Sequence, residues 1–170
     1  MIEVELKDDE LQRVLERLSR AVTDMTPAMQ DVGELLVDST RQGFASGASP
    51  DGTPWAPKSQ ATIDAYRRRE GKGPNARIDF RPLFGPTGSL SSTIFSQAGP
   101  TSVEWGSPMI YAAVMQFGAE KGAFGTMSNG SPIPWGRIPA RPYLGLSDED
   151  RSNIAATLEE WISDAGGARD

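Results

Sequence analysis

Ser102–Gly118 reads SVEWGSPMIYAAVMQFG, and it holds a strand ending, a helix start and a helix stop within seventeen residues. Val103 and Trp105 fall on one side of an extended segment, with Ser102 and Glu104 on the other, which is the period of a half-buried strand. Gly106 breaks that strand. Ser107 followed by Pro108 is a helix opening, because serine caps a free backbone N–H and proline in the first turn gives up no hydrogen bond. Ile110, Val114 and Phe117 then recur at helical spacing, and Gly118 can adopt the left-handed conformation that stops a helix. On this reading Trp105, Tyr111 and Phe117 belong to the core.

Working outward, Ile94–Ala98 pairs with Ser102–Trp105 across Gly99-Pro100-Thr101 as a β-hairpin. Before it, Gly85, Pro86 and Gly88 surround Thr87, which can cap a short helical turn carrying Leu90 and Ile94. After it, Glu120–Gly136 is a glycine-rich loop that carries Phe124, Met127, Ile133 and Trp135. A loop of that length with exposed aromatics calls for something to cover it. Ile138–Leu146 is extended, since Pro139 and Pro142 forbid a helix. Ser147-Asp148-Glu149-Asp150 opens a last helix, with Ile154, Leu158, Trp161 and Ile162 as its buried stripe.

At the other end, Ile2–Leu6 alternates apolar and acidic residues, as a short strand or an arm would. Leu11, Val14, Leu15, Leu18, Val22 and Met25 line one face of a helix that Asp8 or Asp9 can cap. Thr26-Pro27 opens a second helix, with Met29, Val32, Leu36 and Phe44 along one side and Gly43 or Gly47 at its end; the two make a helical hairpin with one apolar seam. Ser49-Pro50-Asp51-Gly52 is a turn, and Trp55 behind it pins the loop over the core. A brief helix at Ala61–Arg69 runs into a mobile loop at Glu70–Asn75. The chain therefore reads as one α+β domain spanning 1–170: an N-terminal helical hairpin packed on a small antiparallel sheet, a short helix after that sheet, a C-terminal helix, and long Gly/Pro-rich loops. The loop regions 45–82 and 119–137 are expected to order on assembly.

Composition narrows the function. The 170 residues include no cysteine and no histidine, which removes thiolate metal sites, disulfides and imidazole acid–base chemistry. The carboxylate clusters Asp8–Glu10 and Asp148–Asp150 sit at helix starts, where the helix dipole accounts for them, and Asp51 sits in a turn that favours aspartate. Gly71-Lys72-Gly73 lacks the spacing of a phosphate loop. No catalytic residue, cofactor or metal site is expected. Neither a signal peptide nor an eighteen-residue apolar run is present, so a soluble product without membrane association is expected. Charge is uneven: residues 1–40 hold ten acids against four bases, 147–170 hold seven against two, and 58–81 hold seven bases against three acids. A basic loop in an acidic body suits contacts between copies.

Four blocks carry a resemblance. Trp105-Gly106-Ser107 leading into Tyr111-Ala112 and Gln116-Phe117-Gly118, then IPARPYLGLS at Ile138–Ser147, SPDGTPWAP at Ser49–Pro57 and LFGPTGSLSSTI at Leu83–Ile94 together resemble the virion-morphogenesis, or tail-completion, family of Mu-like tailed bacteriophages. The blocks stand in that family's order between Ser49 and Ser147. One position departs: Met115 stands before Gln116-Phe117-Gly118 where the pattern often has histidine, so no imidazole role carries over.

The resemblance implies a structural virion protein at the head–tail junction, assembled in the host cytoplasm. It would be a ring, commonly sixfold, that completes the tail and meets tail-tube and connector proteins around a DNA channel, without specific recognition of the DNA. A tail terminator that caps the tube is the neighbouring alternative. A DNA-binding assembly factor acting through Arg67, Arg68, Arg69, Lys72, Arg77 and Arg81 is another, weakened by the absence of stacking aromatics there and of a recognition helix. Candidate contact residues are Arg67, Arg68, Arg69 and Lys72 in the basic loop, Phe124 and Trp135 in the long loop, and Arg137 and Arg141 beside it. For the last two arginines, pairing with acids of the helical hairpin and contact with a neighbour both stay open. Trp55, Trp105, Tyr111, Phe117 and Gly118 are the motif residues that build the domain.

Overall fold

The structure is a computed structural model, which describes residues 8–70, 79–85 and 87–167; the side chains of Arg69 and Glu70 lie outside that description. The expected strand or arm at Ile2–Leu6 and the loop following Glu70, including Lys72 and Arg77, lie outside the described residues. The elements run α1 (Asp9–Thr23), α2 (Thr26–Ser46), α3 (Gln60–Glu70), α4 (Ser89–Ser92), β1 (Phe95–Ala98), β2 (Val103–Gly106), α5 (Ala112–Phe117) and α6 (Asp148–Gly166). This is an α+β arrangement, with helices at both ends and one two-stranded antiparallel sheet.

α2 is the central element. Its buried side, Ala28, Val32, Gly33, Leu36, Val37, Thr40 and Phe44, follows the helical repeat and lies against the hairpin of β1 and β2 on one side and α6 on another. Gly33 is what lets helix and sheet approach: a Cβ there would sit 2.9 Å from the Ser96 Cβ. Gly47 ends the helix with φ of 74°. In the hairpin, Phe95 faces Gly106 and Ala98 faces Val103, and both strands lie within one residue of the expected bounds.

α1 and α2 follow one another through Asp24 and Met25, but α1 takes α6 as its neighbour rather than α2. The inward face of α2 is already occupied by the sheet, so the apolar stripe of α1 is left for the last helix. The two run antiparallel, with Arg17 donating to the Gly166 carbonyl and the Trp161 indole N–H to that of Ala21. α6 opens with a capping box: the Ser147 hydroxyl accepts from the Asp150 N–H while the Asp150 carboxylate accepts from the Ser147 N–H.

α5 corrects a boundary. Ser107 and Pro108 do not open the helix, which begins at Ala112 after a turn through Met109–Tyr111. The delay rotates the helix relative to the expected stripe. Ala112 is buried, whereas Ile110 is 99% exposed, Phe117 77% and Tyr111 38%. Tyr111 and Phe117 are therefore not core residues. The inward positions go to Met115 and Gln116, for a reason that lies in the segment they face. Trp105 is half-buried, and its indole N–H has no hydrogen-bond partner among the described residues.

Candidate assembly interface

The four sequence blocks converge on one interlock. Trp55, Leu83, Leu90, Ile94, Ala112 and Tyr143, each from one of those blocks, form a single core with Val37 and Phe44 of α2. The Phe44 ring meets Trp55 edge-on at 5.5 Å and Tyr143 at 5.4 Å. Residues 138–147 form no ladder strand, so their backbone groups need partners from side chains. Gln116 provides them: its amide oxygen accepts from the N–H groups of Tyr143 and Leu144, and its amide nitrogen donates to the Leu144 carbonyl. The Trp55 indole donates to the Pro142 carbonyl at 2.8 Å, and the Arg141 N–H donates to the Met115 carbonyl. Gly118 must be glycine. Its φ is 75°, and a Cβ would stand 2.7 Å from both the Ile138 oxygen and the Ala140 nitrogen.

Arg141, expected at a contact surface, lies inside the chain. It is 6% exposed, and its guanidinium donates to the carbonyls of Ala56 and Pro57 at 2.7 and 3.0 Å. Burial pulls its pKa below the ordinary arginine value. It closes the loop carrying Trp55 onto the extended segment, a task for a forked donor with no acid nearby. Lys58, next after Pro57, ties the same loop to residues 79–84 instead, donating to the carbonyls of Asp79 and Phe84 while its ammonium lies 5.1 Å from the centre of the Tyr66 ring.

Outside the interlock, large apolar side chains lie on the surface. Residues 120–137 fold back on themselves: Phe124 donates to the Ile133 carbonyl, Met127 to that of Ser131, and Gly122 to that of Pro134. This lobe spends its backbone bonds internally and turns its apolar side chains outward. Trp135 is 66% exposed and Phe124 55%. Arg137 forms an exposed ion pair with Glu120 at 3.1 Å, rather than with acids of the first two helices.

The basic segment is partly self-satisfied. Arg67 pairs with Asp64 and approaches the Phe80 ring, and Arg81 is bound to Asp79 and stacks on Phe84. Arg68 is exposed on α3. Arg69 belongs to α3 by its backbone, and Lys72 falls outside the described residues.

Between α3 and the stretch 134–141 lies a cleft of about 490 Å³ that joins the two expected contact loops. Tyr66, Met115, Trp135 and Ile138 line it together with Lys58, Arg137 and Arg141. Sequence reading missed Lys58, Tyr66 and Met115 as neighbours of Trp135. It also missed Gln116, although the Gln-Phe-Gly motif was in plain view. Its signal was a polar residue on a helix facing a proline-interrupted segment that needed donors and acceptors. Among the described residues no group of carboxylates is placed to hold a metal ion, and no helix is long and apolar enough to cross a membrane.

The interlock gives four blocks, separate in sequence, one shared task. The profile of the phage virion morphogenesis family matches residues 6–163. The chain belongs to that family. Among its relatives, the putative capsid assembly protein G of Escherichia phage Mu is 33% identical over 131 residues, covering 76% of this chain and 74% of that protein. The Mu-like prophage FluMu G protein 2 of Haemophilus influenzae is 25% identical over 163 residues, 95% of this chain and 96% of that protein. No solved structure matches the chain. Its role is thus in building a phage particle, as a structural or assembly protein.

Proposed function

We propose that the chain is a structural part of the particle's neck, a homo-oligomeric ring that completes the tail and joins it to the filled head. The observation that carries this reading is the division of the molecule. Residues from all four blocks hold one interlock, while large apolar side chains at Ile110, Phe124 and Trp135, and the motif's own Phe117, are left on the surface. Exposed apolar residues on a fixed scaffold mark a protein contact. A ring needs two different complementary patches on each copy. The acidic α1–α6 side and the cleft beside α3 supply candidates. In such a ring the acidic surfaces would face the channel, where like charge keeps DNA from adhering, and the basic segment would meet the next subunit. Arg67 and Arg81 are engaged by aspartates and rings of their own chain, which favours a protein partner over DNA phosphates for that segment.

A head-assembly role is the second reading, favoured by the printed name of the Mu relative. Electron microscopy of particles from a phage lacking the gene separates the cases. Full heads beside free tails of normal length are the expected result. Tails of uncontrolled length would make the protein a tail terminator, and missing or aberrant heads would move it to capsid assembly. Salt-sensitive DNA binding by the purified protein would point instead to a DNA-binding assembly factor. Infectious particles of normal form would overturn every structural reading.

A further inference from the structure

The cleft beside α3 carries positive charge on its lining. Lys58, Arg137 and Arg141 line it, and among the described residues no acid does. Arg137 is paired with Glu120 outside, while among the described residues the hydrogen bonds of Lys58 and of the Arg141 guanidinium go to carbonyl oxygens, and the Lys58 ammonium also faces a tyrosine ring. Burial pulls the Lys58 ammonium below its ordinary value; Asp79 opposes this, and the Arg141 and Arg81 charges add to it. The walls are apolar, with Ala61, Tyr66, Met115, Trp135, Ile138 and Pro139. A cleft of this kind suits an extended segment that alternates apolar and acidic side chains. The apolar ones would bury against the walls, and the carboxylates would answer the cations.

The chain carries such a segment in Ile2-Glu3-Val4-Glu5-Leu6, immediately before the first described residue. Residues 1–10 hold five acids against one base, opposite in sign to Lys58, Arg137 and Arg141 of the cleft. Extended, five residues reach about 17 Å. α1, which follows after Lys7, lies against α6. We propose that residues 2–6 of a second copy dock in this cleft, Ile2, Val4 and Leu6 against its apolar walls and Glu3 and Glu5 beside Lys58 and Arg137. Segment and cleft are different surfaces, so the contact is head-to-tail and repeats from copy to copy. It gives the proposed ring one of its interfaces and rests on that reading only in requiring the copies to meet.

The absence of cysteine makes the test clean. Full-length Val4→Cys and Ala61→Cys proteins each carry one thiol. Mixed under oxidising conditions, they should form disulfide-linked heterodimers in several-fold excess over Val4→Cys mixed with Glu159→Cys, whose thiol lies on exposed α6. No excess overturns the proposal. A doubly substituted Val4→Cys/Ala61→Cys chain that closes only on itself at every concentration also overturns it, because the segment would then occupy its own cleft. Independently, Glu3→Lys/Glu5→Lys should weaken self-association about tenfold in sedimentation, leaving thermal unfolding unchanged. Unaltered self-association would speak against the docking. The neck reading fails separately. If cross-linking fails while gene-deleted particles still show free heads and tails, this contact alone is wrong. If cross-linking succeeds while particles are intact, the contact stands without the neck role.

Discussion

Residues 120–137 and 138–147 adjoin in sequence and are both rich in glycine, proline and large apolar side chains, yet one turns those side chains out and the other turns them in. Neither forms a ladder strand. The difference lies in where the backbone hydrogen bonds go. The first stretch closes them among its own residues, so its shape needs nothing from the core and its apolar groups remain available. The second draws them from Gln116, Met115 and Trp55, so it cannot hold its shape without the core, and Arg141 and Tyr143 go inside with it. In a chain with little regular structure, side chains that bond to backbone decide which loop is scaffold and which is surface.

The sharpest way to break this contrast is Tyr143→Ala. Tyr143 is 3% exposed, packs on Phe44, and donates its hydroxyl toward the Ala112 carbonyl. Removing the ring should cost about 3–5 kcal/mol in urea unfolding, enough to endanger folding altogether. Phe124→Ala, an aromatic of the outer lobe, should cost less than about 0.5 kcal/mol in the same assay. Equal costs would mean that the lobe is as much core as the segment after it.

Next comes Gly118→Ala, at the junction of α5 and the extended segment. The added Cβ meets backbone atoms, which cannot rotate away, and the positive φ adds strain. A loss of about 2–4 kcal/mol is expected by chemical denaturation. Gly125 also has a positive φ, but a Cβ there meets nothing within 4 Å. Gly125→Ala should therefore cost only the conformational strain, about 1 kcal/mol. The pair measures how much of the glycine requirement is close approach and how much is backbone angle.

Gln116→Leu keeps the volume and removes the clamp. Two N–H groups and one carbonyl lose their partner, at about 2–3 kcal/mol in total if water reaches part of the gap. Amide hydrogen exchange should show Tyr143 and Leu144 deprotected, with β1 and β2 unchanged. Exchange that rises evenly across the chain would deny Gln116 its local role.

These residues also show where sequence reading succeeds. Helix spacing and the turn at Ser49–Gly52 were legible because they depend on neighbours in the chain. Trp55 was legible as a pin, since an indole between prolines has little else to do. The pairing of α1 with α6, the burial of Arg141 and the outward turn of Phe117 were not. Each depends on which partner claims a face first. Hydrophobicity ranks Phe117 above Gln116 for the interior, but a segment interrupted by Pro139 and Pro142 needs hydrogen bonds more than another ring. The cleft is partly legible: Trp135, Arg137 and Arg141 stand out in the sequence, but Lys58, Tyr66 and Met115 join them only in the fold.

The end of the extended segment responds to acid. Burial pushes the Asp150 carboxyl up, but hydrogen bonds from Ser39 and Ser147 outweigh it and hold the pKa below the ordinary 3.8. Its stabilisation is therefore complete above that value and is lost as pH falls through the lower folded value. Asp150→Ala should cost about 1–2 kcal/mol at neutral pH. The two proteins should converge in stability in strong acid, where the native carboxylate is protonated too. A constant difference across the acid range would mean that packing, not the charge, holds the cap.

The smallest effect on stability should come with a large effect on assembly. Trp135 is 66% exposed and lies on the self-closed lobe, so Trp135→Ala should change the unfolding free energy by less than about 0.5 kcal/mol. If the lobe is a contact surface, the same substitution removes a large apolar anchor of the type that dominates interface energies, about 2 kcal/mol or more. Complementation of a gene-deleted phage then reads the assembly side, and urea unfolding of the purified protein reads the other. Stable protein with failed complementation fits a lobe shaped for a partner. Full complementation would leave Trp135 as an exposed tryptophan without a task, and the contrast between the two neighbouring stretches would then describe folding only.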